Sequence, residues 1–187
     1  MAKKKKIELS AEPASDSVKY SGNVTAIVMK GSKKVKTQKI NNTGVSRLFK
    51  GIASALVGVS DLRDFIPKYL GLAYREPELL SVTTRYTQTT LTSNNIIRVP
   101  ITPLNIREIE TPTRNAWVAP FEATIPSSLL QSLSYKVNEL GLYGDANSET
   151  LLARIVVTGD NESEVGALVV DPGMTLIIQW EITIENK

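Results

Sequence analysis

The residue types that this chain offers for chemistry are restricted, because its 187 residues include no cysteine and no histidine. The absence of cysteine rules out disulfides, thiolate chemistry and Cys-ligated zinc. The absence of histidine removes the commonest general base and the commonest metal ligand. The sequence also has no phosphate-binding loop, no Cys-x-x-Cys pair and no serine elbow motif. We therefore predict a protein that is not an enzyme, with no catalytic residue, no cofactor and no metal site.

Closely spaced acidic residues are the next candidates for chemistry. Asp61 and Asp64 form one pair, and Glu76 and Glu78 form another. Residues 160–164 (Asp-Asn-Glu-Ser-Glu) supply the hard oxygen ligands that calcium favours, but they lack the spacing of a calcium-binding helix-loop-helix. A solvated loop is therefore the favoured interpretation of residues 160–164, and a glycosidase pair among the carboxylates would depend on their geometry.

Glu139 differs from these acidic residues because it lies in an apolar segment, just before Leu140-Gly141-Leu142. Arg154 lies in the next predicted strand, between two apolar residues. A Glu139–Arg154 pair across neighbouring strands would fix their register, and Gly141 would leave room for a long side chain to lie across the sheet. We predict a structural pair in preference to a catalytic acid beside an arginine.

Three strands are predicted in the last third of the chain, at residues 137–145, 150–157 and 174–184. The last strand is rich in β-branched and aromatic residues, which favour extended backbone. Residues 144–147 and 171–173 are turn clusters, because Gly tolerates a positive φ and Pro presets its own φ.

This part of the sequence resembles structural proteins of tailed-phage virions, in which similar strands recur in fibre, collar and decoration proteins. The resemblance rests on Asn-Glu-Leu-Gly-Leu-Tyr at 138–143, Leu-Leu-Ala-Arg at 151–154 and Trp-Glu-Ile-Thr-Ile at 180–184, and it covers residues 136–186. It implies a virion protein made in the host cytoplasm, on the head as a decoration or fibre base or on the tail as an adaptor. The expected partners are copies of itself, as a homo-oligomer such as a trimer, and other virion proteins.

Charge is unevenly distributed, since residues 1–50 carry a net charge of +9 and residues 51–187 carry −6, within a total of +3. Residues 1–17 combine a lysine run with a small polar tract, which cannot bury enough apolar surface to offset the entropy of ordering. We predict a flexible basic arm that docks on a partner through Lys3, Lys4, Lys5 and Lys6. A plain solubilising tail is the alternative, and nucleic acid is disfavoured because no aromatic residues interleave the lysines.

Residues 18–187 are predicted to form a single domain that begins with a hairpin. Residues 23–29 and 33–40 are its strands, and the lysines of the second strand are typical of a solvent-facing edge. Further strands are expected at 68–74 and 117–125, and residues 81–99 should form two strands joined by a turn at 93–95. A broken edge strand or ordered loop is expected at 101–115, and a short helical turn at 126–130. Gly71 indicates either a bulge or a close backbone approach.

One amphipathic α-helix is predicted at about residues 44–58. Asn42 or Thr43 would cap its first turn and Gly58 would end it. Its apolar stripe follows helical spacing and comprises Val45, Leu48, Phe49, Ile52, Ala53, Leu56 and Val57.

The predicted fold class is therefore mainly β, an antiparallel β-sandwich of about eight strands with one helix. Two other functions fit that fold. One is a carbohydrate- or receptor-binding β-sandwich module, which would need Trp117 or Trp180 exposed for sugar stacking. The other is a nucleic-acid-binding protein that acts through its basic N-terminus. No apolar segment approaches the length of a membrane span, so no membrane partner is expected.

Overall fold

The computed structural model describes most of the chain and shows a mainly β protein with antiparallel sheets. The described residues are 18–42, 65–80, 94–111, 114–147, 151–159 and 165–186, together with Leu48, Gly58 and Leu91. The arm at residues 1–17 and the acidic cluster at 160–164 lie outside them.

The described residues form twelve strands, three of which have only two residues, whereas the sequence predicts about eight. Two 3₁₀ helices, Pro77–Leu79 and Ser127–Leu133, lie between strands. The strands are β1 (Val18–Lys30), β2 (Lys33–Asn42), β3 (Tyr69–Ala73), β4 (Ile96–Pro100), β5 (Thr102–Pro103), β6 (Arg107–Thr111), β7 (Arg114–Pro126), β8 (Lys136–Val137), β9 (Glu139–Tyr143), β10 (Leu151–Val156), β11 (Leu168–Val169) and β12 (Thr175–Asn186).

A six-stranded sheet contains the longest strands, in the order β2-β1-β12-β7-β5, with β6 also paired to β7. The predicted hairpin is confirmed, because β1 and β2 pair up to Lys30 and Lys33 around a turn in which Gly31 has a φ of 58°. β2 is an edge strand, as its lysines predict, since among the described residues it pairs only with β1. The predicted broken edge is also present, because β5 and β6 follow one another along the same side of β7.

A second sheet has four strands in the order β10-β9-β3-β4. β9 and β10 form the expected antiparallel hairpin. The strand at the end of the chain does not join them, because β12 lies between β1 and β7 in the six-stranded sheet. Its alternating apolar residues account for its buried face, since Leu176, Ile178, Trp180 and Ile182 all lie buried on one side of that sheet.

One hydrophobic core holds residues of both sheets, among them Trp180 and Val24 from the first sheet and Leu70 and Leu140 from the second. Leu48 also belongs to this core and is helical, as the predicted helix requires. Gly58 has a φ of 73°, a backbone conformation that suits a residue ending a helix. The other residues of the helix predicted at about 44–58 lie outside the described part of the chain.

Candidate functional site

The four-stranded sheet carries a buried polar layer on the face opposite the main core. The register places Arg154, Gly141, Gly71 and Arg98 side by side across the four strands. Because side chains alternate along a strand, Glu139 and Tyr143 lie on the same face as Gly141. We call Glu139, Arg154, Tyr143 and Arg98 the polar layer. Apolar side chains lie on this face too, since Leu91 and Leu151 form a small cluster with Tyr143.

The structure brings Glu139 and Arg154 together inside this layer. Arg154 Nε donates a hydrogen bond to Glu139 Oε1 over 2.5 Å, and the two side chains are 3% and 0% exposed. The residues are diagonal neighbours, because Glu139 is opposite Val156 while Arg154 is opposite Gly141. The ion pair therefore ties the two strands of the β9–β10 hairpin in one register.

Side chains pack closely over the backbone at Gly141. A Cβ atom on Gly141 would lie 2.4 Å from Leu151 Cδ1 and 2.9 Å from Leu91 Cδ2. The Tyr143 ring also lies over this glycine, since its Cε2 atom would be 3.3 Å from the same Cβ. The absence of a side chain at Gly141 thus allows the small apolar cluster to pack directly on the sheet.

Tyr143 packs over Gly71, the glycine opposite Gly141. A Cβ atom on Gly71 would lie 2.5 Å from Tyr143 Cε2, and the pairing of β3 with both neighbours is uninterrupted. The sequence predicts either a bulge or a close backbone approach at Gly71, and the structure shows neither, because the pairing is regular and the close neighbour is the Tyr143 side chain. Burial raises the pKa of the Tyr143 phenol.

Arg98 completes the layer from β4. Its Cζ atom lies 4.4 Å from the centroid of the Tyr143 ring, and its Nη1 donates a hydrogen bond over 2.7 Å to the Ala146 carbonyl. A guanidinium over an aromatic face is attracted by the ring quadrupole. Sequence reasoning missed this contact, although Arg98 is the one charged residue in an apolar strand, as Arg154 is in β10. Three members of the polar layer, Glu139, Arg154 and Tyr143, are buried away from solvent. We therefore infer that the layer holds the strands in position.

Asn138 divides what the sequence predicts as one strand. Val137 pairs with β11 while Glu139 pairs with β10, and the backbone N–H of Asn138 bonds to Ala73 instead. The Asn138 side chain is fully buried, accepts a hydrogen bond from the Arg75 N–H over 3.0 Å and donates one to the Arg75 carbonyl over 2.6 Å. The amide thus acts as a peptide group that extends β3 beyond Ala73.

A second candidate site is exposed and lies along the β5–β6 edge of the six-stranded sheet. We call Leu104, Ile106, Ile109 and Trp117 the edge patch, since all four are exposed along this edge, Ile106 by 71% and Trp117 by 43%. Ile109 is opposite Ala116, so it lies on the other face of the sheet from Trp117. Trp117 lies opposite Glu108 on β6. Trp180, in contrast, is buried in the core, so that only one of the two tryptophans is accessible. Arg107 on this edge forms an ion pair with Glu181.

The opposite edge of the same sheet is basic. Lys33, Lys34, Lys36 and Lys39 of β2 are all exposed. A cleft of about 440 Å³ runs beside the second half of this strand and is closed on its far side by Thr158, Gly159, Gly166 and Ala167. Gln38 reaches across it and donates a hydrogen bond to the Thr158 carbonyl over 3.0 Å.

The remaining predicted residues are only partly described. Lys3, Lys4, Lys5 and Lys6 lie outside the described residues, as do Asp61, Asp64 and 160–164. Glu76 and Glu78 are exposed. In the part of the chain that the structure describes, no three acidic side chains are grouped as a metal site would require, and no helix is long and apolar enough to span a membrane.

Comparison of the chain with models of protein families, with curated proteins and with solved structures finds no match.

Proposed function

We propose that this protein is a non-enzymatic structural component of a tailed-phage particle, which assembles as a homo-oligomer and docks onto other head or tail proteins. We propose further that its two sheets form an antiparallel β-sandwich, since residues of both contribute to one core. The resemblance of residues 136–186 to virion proteins supports the phage particle as its place of action. The geometry supports assembly.

The observation that carries the proposal is the edge patch. Isolated exposed apolar residues are ordinary, but a group that includes a tryptophan and follows one sheet edge is typical of a protein–protein interface. Trp117 and Ile109 would lose their contact with water in such an interface. An exposed sheet edge also offers unpaired backbone N–H and C=O groups to a partner.

The buried polar layer supports the same function in a different way. An ion pair and a cation–π contact inside the second sheet fix the register of its strands, which suits a body that must keep one shape within an assembly.

The test of assembly is the mass of the full chain in solution. We expect light scattering after size exclusion to show an oligomer at micromolar concentration. Ile106→Ser with Ile109→Ser removes apolar area from the edge patch and should weaken association by roughly tenfold or more. Leu79→Ser with Leu129→Ser is the matched control, because both leucines are exposed away from this edge. A wild-type chain that stays monomeric would contradict the proposal.

The test of location is electron microscopy. Antibodies raised against the purified chain, carried on gold particles, should label virions from the source that encodes it. Labelling at one position on the head or the tail would identify the structure to which the protein belongs. Unlabelled particles, with the chain present in the same lysate, would contradict a role in the virion.

The exposure of Trp117 also favours one rival, a carbohydrate- or receptor-binding module. A sugar stacked on the indole would change the fluorescence of Trp117, and Trp117→Phe would abolish that change while the buried Trp180 remains as an internal reference. A saccharide response that depends on Trp117, in a chain that remains monomeric, would support the rival in place of the structural function.

A further inference from the structure

The turn between β1 and β2 carries a dense group of lysines. We call the four lysines nearest this turn the basic tip, and they are Lys30, Lys33, Lys34 and Lys36. Residues 30–37 are all exposed, and the space beside Gly31 in the turn is open. Residues 17–60 include eight lysines and arginines but no aspartate or glutamate. No acidic residue near the tip in sequence therefore offsets its positive charge.

The tip also lacks acidic partners within the fold. Lys30 and Lys33 lie directly opposite each other, an arrangement in which like charges repel. The other two lysines lie opposite apolar residues of β1. In the part of the chain that the structure describes, no ion pair involves the tip. Folding thus gathers four positive charges and leaves them accessible to a partner.

Protection of the sheet edge explains only part of this arrangement. Lysine on an edge strand discourages unwanted pairing, and β2 is such a strand among the described residues. Lys30, however, belongs to β1, which has a partner strand on both sides and needs no protection. Protection also does not require Lys30 and Lys33 to face each other at a cost in stability.

We infer that the basic tip binds the phosphate backbone of a double-stranded nucleic acid without reading its sequence. Lysine is depleted in protein–protein interfaces, whereas nucleic-acid interfaces are strongly positive. Residues 30–37 contain no aromatic side chain, which disfavours a single strand, because proteins hold single strands by stacking bases on aromatic residues. Contacts with the phosphates of a duplex need no stacking.

The spacing of the lysines fits a duplex. The lysines of the tip on β2 extend from Lys33 to Lys36, about 10 Å along a strand. A duplex segment of the same length carries roughly six phosphate charges. The exposed Ser32 in the turn adds a hydroxyl donor of the kind that contacts phosphate oxygens. Because the hairpin already fixes the backbone, binding does not have to order the chain that carries these lysines.

The site is centred on the turn and not on the cleft beside β2. That cleft is lined by Lys36 and Lys39 together with Gly159, and acidic residues follow Gly159 in the sequence at 160–164. The other three lysines of the tip lie outside this lining. The turn is therefore the part of the hairpin at which we expect phosphate contacts.

Salt dependence of binding tests the inference. Binding of the full chain to a short labelled DNA duplex of arbitrary sequence is measured by fluorescence anisotropy. Four phosphate contacts should give a slope of about −3.6 for the logarithm of the association constant against the logarithm of salt concentration, a loss of roughly 100-fold between about 50 and 200 mM salt. Lys33→Gln should reduce the slope by about 1. The tip variant, with all four lysines replaced by glutamine, should lose this dependence.

The N-terminal arm offers a matched control, because it carries the same number of lysines. Replacement of all four arm lysines by glutamine makes the same change in net charge and should leave a slope of about −3.6. Acetylation read by mass spectrometry gives the location, since the duplex should protect the tip and leave the exposed Lys68 and Lys136 reactive. Circular dichroism and melting temperature should show that both variants fold as wild type does.

Each contrary outcome has a distinct meaning. Binding that is lost in the arm variant and kept in the tip variant would assign the contact to the arm and overturn the inference. Polyglutamate that binds the tip as tightly as DNA would indicate an acidic protein partner and would also overturn it. So would the absence of duplex binding at about 50 mM salt, where phosphate contacts are strong. An oligomeric chain that does not bind the duplex leaves the proposed function intact, because the inference does not rest on self-assembly.

Discussion

At the scale of single residues, the most informative contact is the ion pair between Glu139 and Arg154. Both charges have been removed from water, and that desolvation is costly unless each group keeps its partner. The intact pair therefore contributes little net stability by itself. Its effect is specificity, since a one-residue slip of β10 against β9 would separate the two charges and move every side chain of the strand to the opposite face.

A double-mutant cycle measures this coupling. Glu139→Met and Arg154→Met should each lower the free energy of unfolding by about 3–5 kcal/mol, because each leaves a buried charge without this partner. The double variant should lose less than the sum of the two. Denaturant unfolding at a fixed protein concentration gives the three values.

A matched cycle on the exposed Arg107–Glu181 pair provides the control. Its side chains are 56% and 38% exposed, and we expect a coupling of at most about 1 kcal/mol there. Strictly additive losses at Glu139 and Arg154 would show that the two residues are not coupled in the folded protein.

Tyr143 should make stability depend on alkaline pH. Burial raises the pKa of its phenol above the ordinary value of 10.0. Below pH 10 both the folded and the unfolded chain keep this proton, but above pH 10 the unfolded chain loses it first, so the free energy of unfolding falls as pH rises. Tyr143→Phe should reduce that fall, which denaturant unfolding between pH 8 and pH 11 would measure. A slope unchanged by the substitution would contradict this assignment.

At the scale of strands, the sequence predicts the features that depend on neighbouring residues, namely turns, hairpins and breaks in a strand. Residues 23–40 form the expected hairpin because a glycine turn joins two alternating strands. β5 and β6 form a broken edge, because pairing with β7 stops after Pro103 and resumes at Arg107. The placement of β12 in the first sheet was not predictable in the same way. Its partners β1 and β7 are distant in sequence, and periodicity shows which face of a strand is buried but not which strands lie beside it.

The buried polar layer shows the same division. Glu139 and Arg154 could be paired from sequence because they lie in consecutive strands that form a hairpin. The stacking of Arg98 on Tyr143 needs two strands that are not neighbours in the sheet, with β3 between them. The sequence shows Gly71, which permits this contact, but it does not show that the side chain of Tyr143 covers it.

Substitution of Asn138 should destabilise the segment that follows β3. Asn138→Ala removes both hydrogen bonds that its side chain makes with the Arg75 backbone, and we expect a loss of about 1–3 kcal/mol in the free energy of unfolding. Hydrogen exchange of the amides that follow β3 should accelerate more than exchange in β12. Asn138→Asp is the informative companion, because it keeps the acceptor and removes the donor. Uniform acceleration across both sheets would contradict a local role.

At the scale of the whole molecule, the charge distribution separates the N-terminal part of the chain from the remainder. The excess positive charge lies in residues 1–50, and part of it is now placed on the β2 edge. Assembly through the edge patch and docking through the arm would therefore use different residues. The two contacts should respond independently to substitution.

Deletion of residues 1–17 tests the docking arm. We expect the melting temperature to stay nearly unchanged, because a lysine-rich arm acts through charge and not through packing. Incorporation into particles should weaken, and Lys3→Gln, Lys4→Gln, Lys5→Gln and Lys6→Gln together should weaken it to a similar extent while keeping the length of the arm. Self-association should survive both changes, since the edge patch is intact. A truncated chain that fails to fold would show that residues 1–17 contribute to the core, and the boundary at Val18 would have to move.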